Sequence, residues 1–467
     1  MKNTISNINY DQLFQPTGET FVDAGCYALQ ELTDRYPDRD IMGLIMLVTN
    51  IYVDKWEAKI NPFFLNSKIT QPAFKPEKKK EETEAYFKSL IDGTAPHITG
   101  YCRITGVKTE LYPAGRDNSV LSGSGTFVNF HHSFQSGIML SKEAIIRYHF
   151  LPLACELLQG RIAVIHSNNP QITELYARDC CSRNLSAIGK NISDGILKSE
   201  AHSTGTAIFR FIDKILLKYT EEDIPNGSIT LYHFTNFGAS PDVQIYTLPF
   251  PAFIFYQRTQ SGRFKDGWNK FVKQYYFNSD YKKVEHDDKD SLIIATDKKG
   301  KYQIEENEYK YWRNSLYDKL LMNRTIVPEI MKWSKEYKFD LDLLELYLIN
   351  IRNMKKETIN KINEIADFII SASDDSKMKK VLTELNGVKN AFLLRRFILK
   401  VINDHYSKNF DEPLVTVEDY VEYLFPDTSS WMETRDVLLI SLYQKLHIKK
   451  IHFDIQLEEN KESEDEY

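Results

Sequence analysis

The chain contains no C-x-x-C pair, no uninterrupted apolar run of membrane-spanning length, and no Gly-Lys-Ser/Thr after its glycine-rich stretch. Each absence removes a class of protein. Its five cysteines, Cys26, Cys102, Cys155, Cys180 and Cys181, are odd in number and two are adjacent, which argues against a disulfide framework and suits a reduced cytoplasm. The longest apolar stretches, 41–53 and 246–256, are too short to span a bilayer and are broken by Thr49, Asn50 or prolines. The opening residues, MKNTISNINYDQ, lack the basic-then-apolar pattern of an export signal, so the expectation is a soluble cytoplasmic protein with no membrane partner. Ser122-Gly123-Ser124-Gly125-Thr126 fails as a P-loop, although its flexibility suits a loop approaching a sugar-phosphate backbone.

Catalytic sets are equally sparse. His131 and His132 are adjacent and point to opposite faces of a strand, so they do not readily share a metal. His286-Asp287-Asp288 has the composition of a His-Asp metal pair, but two-metal hydrolysis needs further His and Asp ligands and no second cluster is present. Cys180 and Cys181 sit in a predicted helix, one facing the core and the other its edge. A reactive thiol would want a His or a cation beside it. No catalytic residue, metal or cofactor is expected.

What is present begins with size: 467 residues exceed what one hydrophobic core organises, and 42% hydrophobic content is enough to fill two or three. The 27 Phe and 27 Tyr serve as core filler and as stacking platforms for bases or partner subunits. The net charge of −6 hides a segregation. Residues 411–436 hold eight acids against Arg435, and 458–466 hold six against Lys461, so the remainder of the chain is net basic, about +6. Within it, 377–408 carries eight basic residues against Glu384 and Asp404, a plausible phosphate-facing surface.

The fold expected is α+β, a mixed N-terminal body with helices and short antiparallel strands followed by a C-terminal helical bundle. Residues 1–65 read as helical, with Asp23 near one helix start and Asp40 capping another. Residues 75–84 (KPEKKKEETE) read as a linker or an exposed helix start, and 98–137, rich in Gly, Ser and Asn, as strands and long loops. A strand at 161–166, a turn at 167–170 and a helix at 172–188 follow, then a helix at 204–219 and a hairpin from 228–235 and 243–248. Polar residues 278–310, with an apolar island at 292–295, mark a boundary or peripheral excursion. Beyond it, Leu341, Leu344, Leu348 and Ile351, and then Ile359, Ile362, Ala366 and Ile369, step by three and four. Ser430-Trp431-Met432-Glu433 is a capping box opening a last helix to about His447. The domains are thus 1–310, a large body making flanking-motif and complex contacts, 311–457, a helical bundle, and 458–467, an acidic disordered tail.

The basic helix is the most informative segment. Over 388–406 at 3.6 residues per turn, Lys389, Arg396 and Lys400 form a narrow stripe opposite Val388, Ala391, Leu394, Phe397, Ile398, Val401 and Ile402. Lys377, Lys379 and Lys380 precede it and extend the same track.

Two segments, TGETFVDAG (17–25) and YHFTNFG (232–238), frame a set of ordered matches that includes Leu151-Pro152-Leu153, Gly160-Arg161, 163–168 (AVIHSN) and 245–249 (IYTLP). In this set the chain resembles the large subunits of type I-B CRISPR interference (Cascade) complexes, in the subfamily named for two C-x-x-C motifs. The cysteines depart from that pattern. Cys102 of 101–106 (YCRITG) is the one cysteine kept of the first pair, and the region of Leu140-Ser141-Lys142-Glu143 keeps none of the second, so the four-thiolate zinc site of the family is not expected.

The resemblance implies a non-catalytic subunit of a crRNA-guided surveillance complex that binds target double-stranded DNA at the motif flanking the protospacer (the PAM), aids duplex opening and recruits a separate helicase-nuclease. It implies backbone, 5′-handle-binding and small subunits as partners, guide pairing as the source of specificity, and a small subunit made from the C-terminal part by internal initiation at Met322, Met331 or Met354. Asn129, His131, Gln135, Asn168 and Asn169 lie in loops of suitable chemistry to read the flanking motif. The alternatives are a metal-dependent nuclease using His286 and Asp287, and a structural bundle whose basic helix is solvated surface.

Overall fold

The computed structural model describes residues 4–121, 137–220, 223–238, 241–286, 292–408, 412–426 and 431–453. The architecture is α+β, with helices and short antiparallel strands in the N-terminal region and a mostly helical C-terminal region. Two compact units divide the chain, Met1–Phe253 with Tyr276–Leu321, and Ile254–Tyr275 with Met322–Tyr467.

The first unit opens with α1 (Tyr10–Phe14), α2 (Thr20–Arg35) and α3 (Ile41–Asn50). Asp40 caps α3 as its position predicts, accepting a hydrogen bond from the Gly43 N–H at 2.7 Å. The lysine-rich segment enters α4 (Pro76–Ile91), with proline in the first turn, where its missing N–H costs nothing. An antiparallel sheet of β1 (Ile98–Tyr101), β2 (Lys108–Ala114) and β3 (Ile138–Leu140) leads to α5 (Lys142–Phe150). A second antiparallel sheet has the order β4 (Glu156–Leu158), β5 (Arg161–Ser167), β6 (Ile229–Thr235), β7 (Asp242–Leu248). The helices α6 (Pro170–Gly189) and α7 (Thr204–Lys218) lie between β5 and β6 in sequence. The expected hairpin is β6–β7, in register from Ile229 opposite Leu248 to Thr235 opposite Asp242. The apolar island at 292–295 enters the middle strand, Ile293–Thr296, of a small antiparallel sheet, and its Ile293 and Ala295 are fully buried.

One contact sets how the N-terminal helices pack. Where α2 meets α5, a Cβ on Gly25 would collide with the Arg147 carbonyl. Only glycine permits that approach. Arg147 is wholly buried and serves as the anchor of the crossing. Its Nε donates to the Leu13 carbonyl at 2.8 Å, and its Nη2 donates to the carbonyls of Gln12 and Gln15, so one guanidinium satisfies three carbonyls in and just after α1. Its charge is met by Asp23 on α2, 3.6 Å away.

A second buried group on α5 is His149. Its Nε2 lies 3.2 Å from the Thr49 hydroxyl and 3.3 Å from the Ile45 carbonyl, and its ring packs on Phe87 and Tyr52. Burial pushes its pKa down from 6.5 to about 4.

The second unit is built on helices Leu341–Asn350, Lys356–Ser371, Asp375–Asn386, Ala391–Tyr406 and Trp431–Ile448. The residues stepping along the second of these, Ile359, Ile362, Ala366 and Ile369, are all buried, as are Leu344 and Leu348 on the first. Lys356–Ser371 is tied to Trp431–Ile448 by Asn363 to Ser441 at 2.7 Å and Asp367 to Lys445 at 2.6 Å. Residues 254–275 belong to this unit through aromatic packing. Phe255 meets Trp268 and Tyr347, and Phe271 meets Trp333 and Phe339, with ring centroids 5.3–5.8 Å apart. Among the described residues, no helix is long and apolar enough to cross a membrane.

Two outcomes test this packing. Gly25→Ala should lower the unfolding free energy of the first unit by about 1–3 kcal/mol, read from its denaturant midpoint, because the added methyl has no space without moving a backbone. The His149 effect has a defined sign. Between pH 6.5 and 4 the unfolded chain protonates this histidine and the native state does not, so stability is full above pH 6.5 and falls as the pH drops towards 4. The loss from this group should reach up to about 3 kcal/mol, and a thermal-melt series on His149→Phe should lack that component.

Candidate nucleic-acid interface

The two segments that carry the resemblance are structural, and they touch. Phe21 of the first packs edge-on against Tyr232 and Phe234 of the second, with centroids 5.5 and 5.1 Å apart. Asp23 accepts from the Thr17 and Gly18 N–H groups and from the Thr17 hydroxyl, each at 2.8 Å, which fixes the turn into α2. Gly18 there holds a φ of 86°, the left-handed region that glycine enters without strain. In the second segment His233 is hydrogen-bonded to the Leu158 carbonyl on β4 at 2.8 Å. Asn236 is fully buried: its Nδ2 donates to the Phe63 carbonyl at 2.6 Å and its N–H to the Pro62 carbonyl at 2.8 Å. Arg116 donates to the carbonyls of Asn236 and Gly238. These bonds give both segments a structural role in the first unit.

The residual cysteine of the first expected pair also has a structural setting. Cys102 follows β1 and is buried. Burial raises its thiol, but bonds from the Thr105 hydroxyl and from the N–H groups of Thr105, Ser141 and Ile104 outweigh it and bring the pKa below the ordinary value. The turn at 102–106 and the N-cap of α5 at Ser141 thus converge on one sulfur, the Ser141 N–H lying 3.4 Å from it. Cys180 and Cys181 are both fully buried, contrary to the expectation that one would lie at the helix edge, because α6 packs α2 on one side and β5 on the other. Among the described residues, no group of three or more His, Cys, Asp or Glu is arranged to hold a metal. His286 lies on strand Lys283–His286, its Nε2 3.0 Å from the Tyr276 carbonyl, while Asp287 and Asp288 fall outside the described residues.

The flanking-motif candidates separate into two groups. Asn129, His131 and Gln135 lie outside the described residues. Asn168 and Asn169 form the turn between β5 and α6 and are engaged within the chain. Asn168 Oδ1 accepts from the Ser228 N–H at 2.9 Å, and Asn169 caps α6 through Gln171 and donates to the Asn226 carbonyl at 3.1 Å. These side chains fasten the turn to the start of β6.

The basic residues assemble into a helical hairpin. Lys377, Lys379 and Lys380 are on Asp375–Asn386, and Arg396 and Lys400 are on Ala391–Tyr406. The second helix begins three residues later than the periodicity suggests, because Asn390 turns extended and caps it, accepting from the Leu393 N–H at 2.9 Å. Lys389 accordingly sits in the connecting turn and not on the helix. Two ion pairs staple the hairpin, Lys377 to Asp404 at 3.0 Å and Lys400 to Glu384 at 2.7 Å. Lys379, Lys380, Lys389 and Arg396 are exposed and have no ion partner among the described residues.

The second helix of the hairpin also exposes large apolar side chains. Phe392, Leu399 and Tyr406 are 70%, 55% and 79% exposed. A spacing of seven drifts by only about 20° per step, so they share one face, with Arg396 between the first two. The signal is legible as a second apolar stripe, but counting apolar residues alone assigns such a stripe to the core.

The fold therefore defines a two-unit α+β protein with a helical second unit that exposes mixed basic and aromatic side chains. Residues 332–467 of that unit match the family model of the DevT C-terminal domain. The chain matches no curated protein and no solved structure.

Replacing Asn236 with Ala should cost about 1–3 kcal/mol of first-unit stability, measured by chemical denaturation, because the Phe63 carbonyl would lose its buried donor.

Proposed function

We propose that the chain is the non-catalytic large subunit of a type I CRISPR RNA-guided surveillance complex, acting in the cytoplasm. It binds target double-stranded DNA near the protospacer-flanking motif, assists duplex opening, and recruits a helicase-nuclease that performs the cleavage. Its partners are the crRNA-bearing backbone and 5′-handle-binding subunits and a small subunit. The ordered sequence matches from residue 17 to about 250 support the class of complex.

The observation that carries the nucleic-acid role is the exposed hairpin face. Lys379, Lys380, Lys389 and Arg396 leave four cations unneutralised by acids of the described chain, and Phe392 and Tyr406 stand exposed on the same helix as Arg396. Cations that track a phosphate backbone, interleaved with aromatic rings on which bases stack, suit an opened strand better than a closed duplex. Lys377 and Lys400 contribute less, since each already has a carboxylate partner. A merely solvated helix would not need to expose three large apolar side chains, Phe392, Leu399 and Tyr406.

The test is target binding by the assembled complex across a salt series. Lys389→Glu with Arg396→Glu should weaken binding, and the slope of log K against log salt should fall by about one for each phosphate that is no longer neutralised. Phe392→Ala with Tyr406→Ala should weaken binding without changing the slope. Binding that is the same with and without this chain would overturn the proposal.

A further inference from the structure

Helices α4 and α5, strand β2 with its following turn, and the segment 64–69 enclose a cavity of about 330 Å³ in the first unit. That is near the lower limit of small-molecule sites, which run from about 300 to 1,000 Å³, so it holds one ring system with its substituents. Phe64, Tyr86 and Phe87 supply aromatic walls.

Several polar side chains also line it, and Ser67, Thr83 and His149 among them are bonded within the chain, to Thr70, the Lys79 carbonyl and Thr49. Asn118 Oδ1 accepts from the Gly115 N–H at 2.8 Å, which fixes the orientation of the amide. Its Nδ2 then donates to Tyr86 Oη at 2.7 Å, leaving the Tyr86 hydrogen to donate elsewhere. Burial holds that hydroxyl protonated. Asp117 is reachable by solvent and supplies a carboxylate acceptor, and Lys68, only 3.9 Å from Glu82, supplies a second donor. The cavity thus combines aromatic walls with an acceptor at Asp117 and donors at Tyr86 and Lys68, beside its other polar lining.

We infer that this cavity binds a single nucleobase unstacked from its strand, with the ring against Phe64, Tyr86 and Phe87 and its polar edge on Asp117, Tyr86 and Lys68. The inference rests on the nucleic-acid reading above and names the unit of the ligand that the first unit takes. A quaternary ammonium would also favour aromatic walls and a carboxylate, but Lys68 beside Asp117 opposes a fixed cation. A wholly apolar ligand would strip water from Asp117, Tyr86 and Lys68 without replacing it. A heteroaromatic base has both donors and acceptors on its edge and meets them.

The probe is 2-aminopurine deoxyriboside titrated into the full-length protein, with the four natural deoxynucleosides as competitors. The expected result is saturable quenching that at least one deoxynucleoside competes away, with affinity reduced about tenfold in Asp117→Ala and in Tyr86→Phe. Lys68→Ala, at an exposed position, gives the same reading should either of those variants fail to fold. Three results would each overturn the inference: no saturable quenching by wild type, affinity unchanged in Asp117→Ala and Lys68→Ala, or competition by tetramethylammonium or phenol equal to that by deoxynucleosides. Free nucleoside is used without the complex, so failure here leaves target binding by the hairpin standing. Failure of target binding leaves a measured nucleoside site intact.

Discussion

The first unit depends on one close approach. At Gly25 the backbone of α2 comes so near α5 that no side chain fits between them, and Arg147 on α5 uses that proximity to reach the carbonyls of Gln12, Leu13 and Gln15. A buried guanidinium is tolerated only when its charge and donors are met, and Asp23, two residues before Gly25, meets the charge. Asp23 in turn holds Thr17 and Gly18. A nine-residue segment thereby fixes α1, α2 and α5 together, and places Phe21 against Tyr232 and Phe234 of the second segment.

This arrangement changes what the two segments mean. Short polar motifs invite a reading as sites, yet the Asp23 carboxylate, His233 Nε2 and Asn236 Nδ2 are all bonded within the chain itself. The exposed chemistry lies elsewhere, in the hairpin of the second unit and in the cavity lined by Tyr86 and Asp117 of the first. Motif residues that assemble a core hold the first unit together.

Local structure is largely legible in the sequence. Asp40 at a helix start, the alternation in β6 and β7, and the three-four steps from Ile359 to Ile369 follow from capping chemistry and periodicity, which act within a few residues. The start of the basic helix is not legible in the same way, because Lys389 and Asn390 fit the helical period, while the extended backbone of Asn390 is decided by its cap to Leu393. The exposure of Phe392, Leu399 and Tyr406 is hidden for a related reason. Apolar residues at helical spacing fix a face, and periodicity alone does not tell which face has a neighbour.

The sequence by itself determined most of the elements, the α+β class, the segregation of acid from base and the cap at Asp40, since these depend on neighbours within a turn or two. Tertiary structure alone decided that Gly25 is a crossing point, that residues 254–275 join later helices through Phe255, Trp268 and Phe271, that Lys377 and Lys400 are neutralised while Arg396 is not, and that Tyr86, Asp117 and Lys68 line one cavity. The reason is distance along the chain. Close approach, ion pairing and enclosure join residues tens to hundreds of positions apart, and no local pattern records which of them meet.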